Sequence, residues 1–387
     1  MKNKVLALAA VASAVVGFHG VANAKGNIVS GIRDGLQWTA QNAIVGMTPT
    51  SDGITGVGGG NPLFFPSSNK SGVVALIMDY GPGGRFICSG SLVSSRSIVT
   101  AGHCVSDGAG TPNPLKTTAY FFTGNPNERT PFSVNAVAID VTDYFVNPSY
   151  TGEVIDQNDI AVLRLASNAP SAFERYGLYT GGDLTGSGFN VAGYGGRSTV
   201  GGALGSNSQT GWLREGDNIY DYAWGDAAFG GFFTDVVAGE NFFGTAEIDK
   251  SFVSDLDNGT LNNDMAGRIG YAVTGGLEFF QFGVGAREVG VAGGDSGGPG
   301  FIDGKLASVN SYGLSFGTGF GDCLPGLQSS CGEFSGYVPI YIHDQFIRNS
   351  MWAGAPIPEA GTWAMMIAGF GLVGGMARRR RMDTAKA

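Results

Sequence analysis

Charged residues are scarce in this chain, and basic ones are the scarcest. Only 14% of the 387 residues are charged, with 23 Lys and Arg against 32 Asp and Glu. Seven of the basic residues but only one acidic residue lie in residues 1–24 and 360–387, so the body between these ends has a net charge near −15. Such a charge disfavours nucleic acid and anionic membranes as partners and favours solubility.

Histidine is rarer still, with three residues in the whole chain. His19 lies within a predicted export signal, in which Lys2 and Lys4 precede an apolar run over residues 5–18 and Ala-Asn-Ala at 22–24. This layout is typical of a cleaved signal peptide, and the alternatives are a core helix or an uncleaved anchor. In the exported protein, an imidazole base can therefore only be His103 or His343.

Cysteine is limited to four residues, Cys88, Cys104, Cys323 and Cys331. Export makes disulfides available, and the spacings of 16 and 8 residues match no zinc pattern. Of the three pairings, we expect neighbours to pair, Cys88 with Cys104 and Cys323 with Cys331. Free thiols or a metal site are the alternative.

Glycine is abundant, with 66 residues, which favours a turn-rich protein of short strands over a helical one. Short β-like runs recur at residues 73–78, 97–100, 134–141, 159–165 and 190–194, and Asp303-Gly304 marks a hairpin turn. We expect an all-β fold of barrels or a sandwich.

Residues 25–72 are polar and Gly-rich and predict a loosely structured lead-in or pro-region without chemistry. Residues 195–290 show no helical periodicity.

Ser296 is a candidate nucleophile because it lies in the Gly-rich stretch GGDSGGP at residues 293–299. Acyl transfer needs a hydroxyl beside backbone N–H groups that converge on the developing oxyanion, and small flanking residues leave those groups open. The amides of Gly294 and Ser296 would supply them. A plain glycine turn between strands is the alternative.

His103 and Asp159 are candidates for the base and for the carboxylate that orients it. His103 lies in TAGHC at residues 100–104, at a strand end, where a lone histidine is more often structural. Asp159 opens the apolar run NDIAVLRL at residues 158–165, where a buried carboxylate needs a partner such as an imidazole. An exposed cap or turn aspartate is the alternative.

These three motifs together resemble the trypsin/chymotrypsin family of serine peptidases, and they occur in that family's order of His, Asp and Ser. The resemblance covers residues 73–349 and implies two antiparallel β-barrels with the active site in the cleft between them. It implies peptide-bond hydrolysis of a protein or peptide substrate, with Ser296 as nucleophile, His103 as general base and Asp159 as orienting acid. It calls for no metal and no organic cofactor.

Further segments match the family's pattern. Cys88 and Cys104 match its disulfide behind the histidine, and GYG at residues 193–195 resembles its Gly-Trp-Gly segment. Ser311-Tyr312-Gly313 resembles the Ser-Trp-Gly strand that pairs with the substrate backbone. The resemblance thus implies substrate-binding roles for Ser311, Tyr312 and Gly313.

Other positions depart from the pattern. Ala292 replaces the family's cysteine four residues before the nucleophile, and Gly290 aligns with the acid that decides specificity in trypsin-like pockets. A strict Arg/Lys preference is therefore not expected, although Glu288 lies nearby. The 137 residues from Asp159 to Ser296 indicate an insertion within residues 196–289. The expected domain spans residues 73–350, with barrels at about 73–175 and 185–350.

Family members are commonly activated by a new N-terminal Ile or Val whose ammonium pairs with the Asp before the nucleophile, here Asp295. The candidates are Ile28 and Val57, and no basic residue precedes either one.

Residues 351–387 form a separate tail. Pro358-Glu359-Ala360, the uncharged residues 361–377 and four arginines at 378–381 resemble the PEP-CTERM sorting signal of Gram-negative bacteria, with Ala360 where the last Pro is usual. The resemblance implies processing by an exosortase, transient insertion of the hydrophobic helix in the inner membrane, and release to the periplasm, cell surface or medium. A buried terminal helix is the alternative.

Several rival hypotheses remain. The acidic residues 255–264 are a candidate Ca²⁺ site, although their spacing does not fit an EF-hand loop, or else a solvated turn. The pattern Gly294-x-Ser296-x-Gly298 followed by His343 also fits an α/β-hydrolase, but that fold needs a helix directly after the serine, and Gly297-Gly298-Pro299-Gly300 would break one. A non-catalytic surface binding protein and an esterase with the same three residues are the remaining functions.

Overall fold

The computed structural model describes residues 28–33, 36–41, 45–47, 61–108, 114–122, 130 and 135–353. The predicted signal peptide, Val57 and the tail from residue 354, with its apolar stretch at residues 361–377, lie outside these residues. None of the helices that the structure describes is long and apolar enough to cross a membrane.

Strands make up most of the regular structure in these residues. They are β1 (Val29–Arg33), β2 (Leu36–Gln41), β3 (Val45–Gly46), β4 (Val73–Asp79), β5 (Arg85–Leu92), β6 (Ser97–Thr100), β7 (Lys116–Phe122), β8 (Ala136–Val146), β9 (Ala161–Leu165), β10 (Gly188–Gly193), β11 (Arg214–Ile219), β12 (Tyr222–Ala223), β13 (Phe252–Asp255), β14 (Val289–Gly290), β15 (Pro299–Ile302), β16 (Lys305–Ser315) and β17 (Phe334–Pro339). The α-helices are α1 (Met265–Thr274) and α2 (Asp344–Trp352).

The first half of the chain folds into a closed six-stranded antiparallel barrel. Its strands follow the order β4-β5-β6-β9-β8-β7, and β7 pairs again with β4. Successive side chains of a strand point to opposite faces, and Val74, Leu76 and Met78 place apolar groups at every second position of β4. All three are at most 1% exposed, so the barrel interior is a packed core.

The second half is built on a nine-stranded sheet with the order β11-β10-β15-β16-β17-β13-β12, to which β2 adds on β16 and β1 adds on β2. The hairpin between β15 and β16 turns at Asp303 and Gly304, whose φ values are +50° and +71°. This is the turn that the Asp-Gly pair predicts. The expected fold class, all-β with two antiparallel barrels, is confirmed, with the first barrel closed and the second present as a half-barrel sheet.

The prediction of a loosely structured lead-in is wrong for its described part. Leu36, Trp38 and Ala40 occupy every second position of β2 and are 7%, 6% and 0% exposed. The alternation is visible in the sequence, but the strand forms because β16 offers it a free edge. That partner strand lies more than 270 residues away along the chain, and the sequence around β2 carries no signal that identifies it.

Residues 224–251, between β12 and β13, contain no strand but hold an aromatic cluster. Its buried rings pack edge to face or tilted against one another and against Tyr222 of β12: Trp224, Phe229, Phe233 and Phe242. Helix α1 follows, and the absence of helical periodicity predicted no helix here. Its ends carry the usual signals, since the Asp264 carboxylate accepts from the Gly267 N–H and Gly275 closes the last turn with φ +74°.

The acidic residues before α1 are not a solvated turn. Asp255, Asp257 and Asp264 are at most 2% exposed, and burial raises the pKa of each. Asp255 Oδ2 accepts from the Ala266 N–H and Asp264 Oδ2 from the Gln281 N–H. No three acidic, His or Cys ligand atoms lie within 4.8 Å of one another around residues 255–264. The carboxylates cap backbone groups here, and the Ca²⁺ hypothesis gains no support.

Another buried acid, Glu333, organises the loop closed by the Cys323–Cys331 disulfide. Its carboxylate accepts hydrogen bonds from the N–H groups of Gln328 and Ser329, 2.8 to 3.2 Å away. Burial, together with the nearby Asp322, raises the pKa of Glu333 to about 8. The folded chain therefore keeps a proton on Glu333 that an unfolded chain releases near pH 4.5.

We predict that the thermal midpoint falls as the pH rises from 6 to 9. The unfolded chain binds fewer protons than the folded one in this window, so raising the pH favours unfolding until Glu333 ionises in the folded state near pH 8. The expected drop is about 5 °C. Calorimetry at both pH values measures it. The Glu333→Gln variant should show a smaller drop, and the exposed Glu174→Gln should keep it in full. An unchanged drop in Glu333→Gln would contradict the assignment.

Candidate active site

His103 and Asp159 form a hydrogen-bonded pair on the first barrel. His103 lies in the single turn Gly102–Cys104 after β6, and Asp159 lies two residues before β9, the strand that pairs with β6. Asp159 Oδ2 is 2.7 Å from His103 Nδ1, and Oδ1 accepts from the His103 backbone N–H at 2.7 Å. Both oxygens of a carboxylate that is 1% exposed therefore hold the same residue.

A third donor reaches Asp159 from the second half of the molecule. Ser311, in β16, donates its hydroxyl to Asp159 Oδ2 at 2.6 Å. Sequence reasoning assigns Ser311 to substrate binding through its backbone and misses this hydroxyl. No local signal reveals it, because the two residues are 152 positions apart.

His343, the other available histidine, supports the loop before Asp159. Its Nε2 lies 2.8 Å from the Gln157 carbonyl oxygen, and its Nδ1 lies 3.2 Å from Asn147 Nδ2. Burial lowers the pKa of His343 and so favours the neutral ring.

Because the chain after Ser296 turns through Gly297 and enters β15 without a helix, the α/β-hydrolase alternative is wrong.

Ser296 lies in the turn that leads into β15, and its side chain is 3% exposed. Cys104 Sγ is 3.7 Å from the Ser296 carbonyl oxygen and 4.0 Å from His103 Nε2, which places the serine turn and the imidazole against the same sulfur. Ser296 Oγ has no hydrogen-bond partner among the described residues. The candidate nucleophile is thus beside the candidate base, but the bond between them is not formed in this structure.

Two backbone N–H groups of the turn that carries Ser296 are not used in the hydrogen bonds that stabilise the turn. Asp295 N–H donates to the Ala292 carbonyl and Gly298 N–H to the Asp295 carbonyl, whereas the amides of Gly294 and Ser296 make no hydrogen bond within the described part of the chain. Gly294 has φ +101°, a conformation that disfavours any residue with a Cβ. The two amides expected to bind an oxyanion are therefore available.

Ser89 of β5 fixes this turn to the first barrel. Its N–H donates to the Ser296 carbonyl at 2.7 Å, and its hydroxyl donates to the Gly294 carbonyl at 3.0 Å while accepting from the Tyr194 N–H at 2.9 Å. The residue before it, Cys88, is bonded to Cys104 beside His103. One strand thus positions both the base and the nucleophile, a role that the sequence did not indicate for Ser89.

Asp295 points away from the cleft into the body of the second half. Its oxygens accept from the N–H groups of Gly195, at 2.8 Å, and Ala292, at 3.2 Å, and burial raises its pKa. A Cβ at Gly195 would lie 1.9 Å from the carboxylate, so glycine is required there. No cation pairs with Asp295 among the described residues. Ile28 is 65% exposed, and Val57 lies outside them.

Gly290, at the predicted specificity position, has no side chain and has uncharged neighbours. A Cβ on Gly290 would meet Ser335 Oγ at 3.2 Å and Leu256 Cβ at 3.3 Å. Glu288 accepts from the Asp257 and Val284 N–H groups, and burial raises its pKa to about 8. It therefore serves the surrounding loops and does not project a carboxylate to a substrate.

Both disulfides follow the expected neighbour pairing, Cys88–Cys104 and Cys323–Cys331. In the described residues, the one group whose geometry would suit a metal ion is Cys88, His103 and Cys104. Its sulfurs are bonded to each other and cannot act as thiolate ligands.

We predict that Ser89→Ala destabilises the protein by about 1 to 3 kcal/mol, because it leaves the buried Gly294 carbonyl and Tyr194 N–H without their hydroxyl partner. Denaturant unfolding followed by tryptophan fluorescence measures the loss. The exposed Ser95→Ala provides the control and should unfold like the wild type. Equal stability of Ser89→Ala and wild type would show that the bridge contributes nothing.

Two parts of the chain match known family models. The Trypsin family model matches residues 67–215, which include His103 and Asp159 but end before Ser296. The PEP-CTERM protein-sorting motif matches residues 356–381, outside the described structure, and indicates export in Gram-negative bacteria.

Two individual proteins are similar to parts of this chain at low sequence identity or over a short stretch. The Inactive CLIP domain-containing serine protease A3 of Aedes aegypti is 31% identical over 90 residues, which are 23% of this chain and 18% of that protein. Neuropsin, a serine protease of mouse brain, is 16% identical, with a TM-score of 0.46 over 73% of this chain and 96% of its own. The chain is thus similar to the Trypsin family over residues 67–215 and to the PEP-CTERM protein-sorting motif over residues 356–381.

Proposed function

We propose that this chain is an exported serine endopeptidase that hydrolyses peptide bonds through an acyl-enzyme on Ser296. The observation that supports it best is the buried Asp159, which binds both the backbone and the ring of His103 directly beside the turn that carries Ser296. A carboxylate in this position fixes the tautomer of the imidazole and stabilises the imidazolium that forms during acyl transfer.

In the proposed reaction, His103 Nε2 takes the proton from Ser296 Oγ as the oxygen attacks the substrate carbonyl. The Gly294 and Ser296 amides donate to the oxyanion, and the imidazolium then protonates the leaving amine. Water repeats the sequence on the acyl-enzyme. One movement is required, because Ser296 Oγ must come within hydrogen-bond distance of Nε2, a contact that often tightens only when substrate binds.

Throughout these steps Asp159 and Ser311 act through the imidazole and do not touch the substrate. His103 Nδ1–H donates to Asp159 Oδ2, and the Ser311 hydroxyl donates to the same oxygen, so Asp159 stays aligned with the imidazole as His103 becomes charged. Ser311 is thus proposed as a positioning residue as well as part of the strand that receives the substrate.

We predict that a fluorophosphonate probe labels the wild type at Ser296 and that Ser296→Ala abolishes labelling. His103→Ala and Asp159→Asn should lower casein hydrolysis by about 10³- to 10⁴-fold, because each removes a part of the proton-transfer unit. Gel fluorescence and peptide mass mapping identify the labelled residue, and the exposed Ser95→Ala should label normally. Absence of labelling would favour a non-catalytic binding protein, and labelling with turnover of esters alone would favour an esterase.

The uncharged neighbours of Gly290 support a substrate without a basic residue before the cleaved bond. We predict that the wild type prefers uncharged residues there in a peptide-library cleavage profile. Gly290→Asp should raise the rate for Arg and Lys relative to uncharged residues by about tenfold or more, because a carboxylate then occupies the position that decides specificity in the trypsin-like pockets that this chain resembles. Glu288→Gln should not alter the preference, since that carboxyl binds loop amides. A strong preference of the wild type for Arg, lost in Glu288→Gln, would overturn this assignment.

The proposal also covers the bounds of the peptidase domain and the processing of the two chain ends. We assign the peptidase domain to residues 73–350, with an insertion in residues 196–289. We assign removal of residues 1–24 on export, and transient anchoring of residues 361–377 in the inner membrane before an exosortase acts. The matched sorting motif supports the last step.

A further inference from the structure

Strand β2 of the N-terminal segment lies on the strand proposed to receive the substrate. It pairs antiparallel with the end of β16, where Gln41 lies opposite Gly313 and Thr39 opposite Ser315. From Thr39 to Gln41 the chain therefore advances along β16 towards Ser311, whose hydroxyl is bonded to Asp159. An antiparallel substrate on this edge would run in the same direction.

The edge occupied by β2 is the one that faces the serine turn. The opposite edge of β16 is taken by β17, which pairs with Gly313 through Ser335. On the near edge, β15 pairs with β16 as far as Val309, and the next residue, Asn310, exchanges hydrogen bonds with Gly297 and Gly298 of the serine turn. From Gly313 to Ser315 this near edge of β16 is paired with β2. A peptide that extended past Ser311 and Tyr312 would therefore find the backbone groups of β16 already paired.

The segment is anchored by side chains as well as by its backbone. Trp38 is 6% exposed, and its ring meets Phe243 edge to face with 5.2 Å between centroids. Leu36 and Ala40 are buried on the same face, whereas Gln37 is exposed on the other. Strand β1 covers the outer edge of β2, so the two strands bind as a hairpin.

The following strand reaches the predicted specificity pocket. Val45 of β3 lies opposite Gly290 of β14, and Met47 N–H donates to the Glu288 carbonyl at 3.1 Å. The same segment therefore pairs with both backbone elements assigned to substrate recognition, the end of β16 and the strand that carries Gly290.

We propose that this segment, β1 to β3, is an inhibitor built into the chain, and that long peptides are hydrolysed only after it leaves β16. The proposal rests on the proposed function, because it takes β16 as the strand that binds substrate. A peptide added to a sheet edge binds through main-chain hydrogen bonds, and one edge cannot serve two strands. Covalent linkage gives β2 an effective concentration of the order of millimolar, which a dilute substrate does not match.

The geometry predicts which substrates are affected. In an antiparallel pair, a peptide whose cleaved residue lies opposite Ser311 has its residue two positions earlier opposite Gly313, where Gln41 lies. Longer peptides collide with β2. An ester with a single acylated residue does not reach Gly313 and needs no displacement, so inhibition depends on substrate length.

The first test compares the intact chain with a chain cut between Met47 and Asn61, where a recognition sequence for a site-specific protease is inserted. The substrates are a chromogenic hexapeptide amide and a single-residue nitrophenyl ester. After cutting and removal of the N-terminal piece by gel filtration, kcat/KM for the hexapeptide should rise by about tenfold or more. Opening of the β16 edge should change the value for the ester less than about twofold, since its single acylated residue does not reach Gly313, where β2 pairs.

A point variant provides a test without cutting. Trp38→Ala removes the buried ring that holds β2 and should raise hexapeptide hydrolysis by the uncut chain, whereas the matched variant Gln37→Ala alters an exposed side chain of the same strand and should not. If Trp38→Ala fails to fold, a synthetic peptide of residues 28–47 serves instead. Added to the cut enzyme, it should inhibit hexapeptide hydrolysis competitively, the Trp38→Ala peptide should be weaker, and a scrambled peptide should be inactive.

Fluorophosphonate labelling separates failure of this proposal from failure of the proposed function. No labelling and no ester hydrolysis in either form would overturn both. Labelling and ester hydrolysis in both forms, with equal hexapeptide kcat/KM before and after cutting and no inhibition by the 28–47 peptide, would overturn the built-in inhibitor alone. Length-dependent activation by cutting, reversed by that peptide, would establish it.

Discussion

The buried carboxylate of Asp159 is the interaction on which the site depends. It accepts hydrogen bonds from the backbone and ring of His103 on the first barrel and from the hydroxyl of Ser311 on the second sheet. A buried charge without such donors would be costly, so the two halves of the molecule are held in the one arrangement that satisfies it. Ser89 reinforces the same junction by binding the serine turn, and the position of Ser296 follows from these contacts.

The local parts of this arrangement could be predicted from sequence. TAGHC, NDIAVLRL and GGDSGGP are contiguous stretches, and the roles proposed for His103, Asp159 and Ser296 come from the chemistry that each stretch contains or from the family that they resemble. The Asp303-Gly304 turn and the neighbour pairing of the cysteines are equally local. Each of these predictions needed only residues close together in the chain.

Contacts between distant segments could not be predicted in this way. Leu36, Trp38 and Ala40 alternate as a strand requires, yet nothing near them shows that β16 is their partner. The aromatic cluster around Trp224 likewise assembles from residues without strand or helix periodicity, and Tyr312 joins it by accepting from Trp224 Nε1 at 2.8 Å. In both cases tertiary packing, which has no short-range signature, decides the structure.

The pairing of β2 with β16 also bears on how the chain behaves before it acts. A strand edge with open N–H and C=O groups is a template for joining a second molecule. While β2 pairs with β16, that edge is withheld from other copies of the chain. The residues that pair along β16 therefore shield this edge from other copies of the chain and move the open edge of the sheet to the five-residue strand β1.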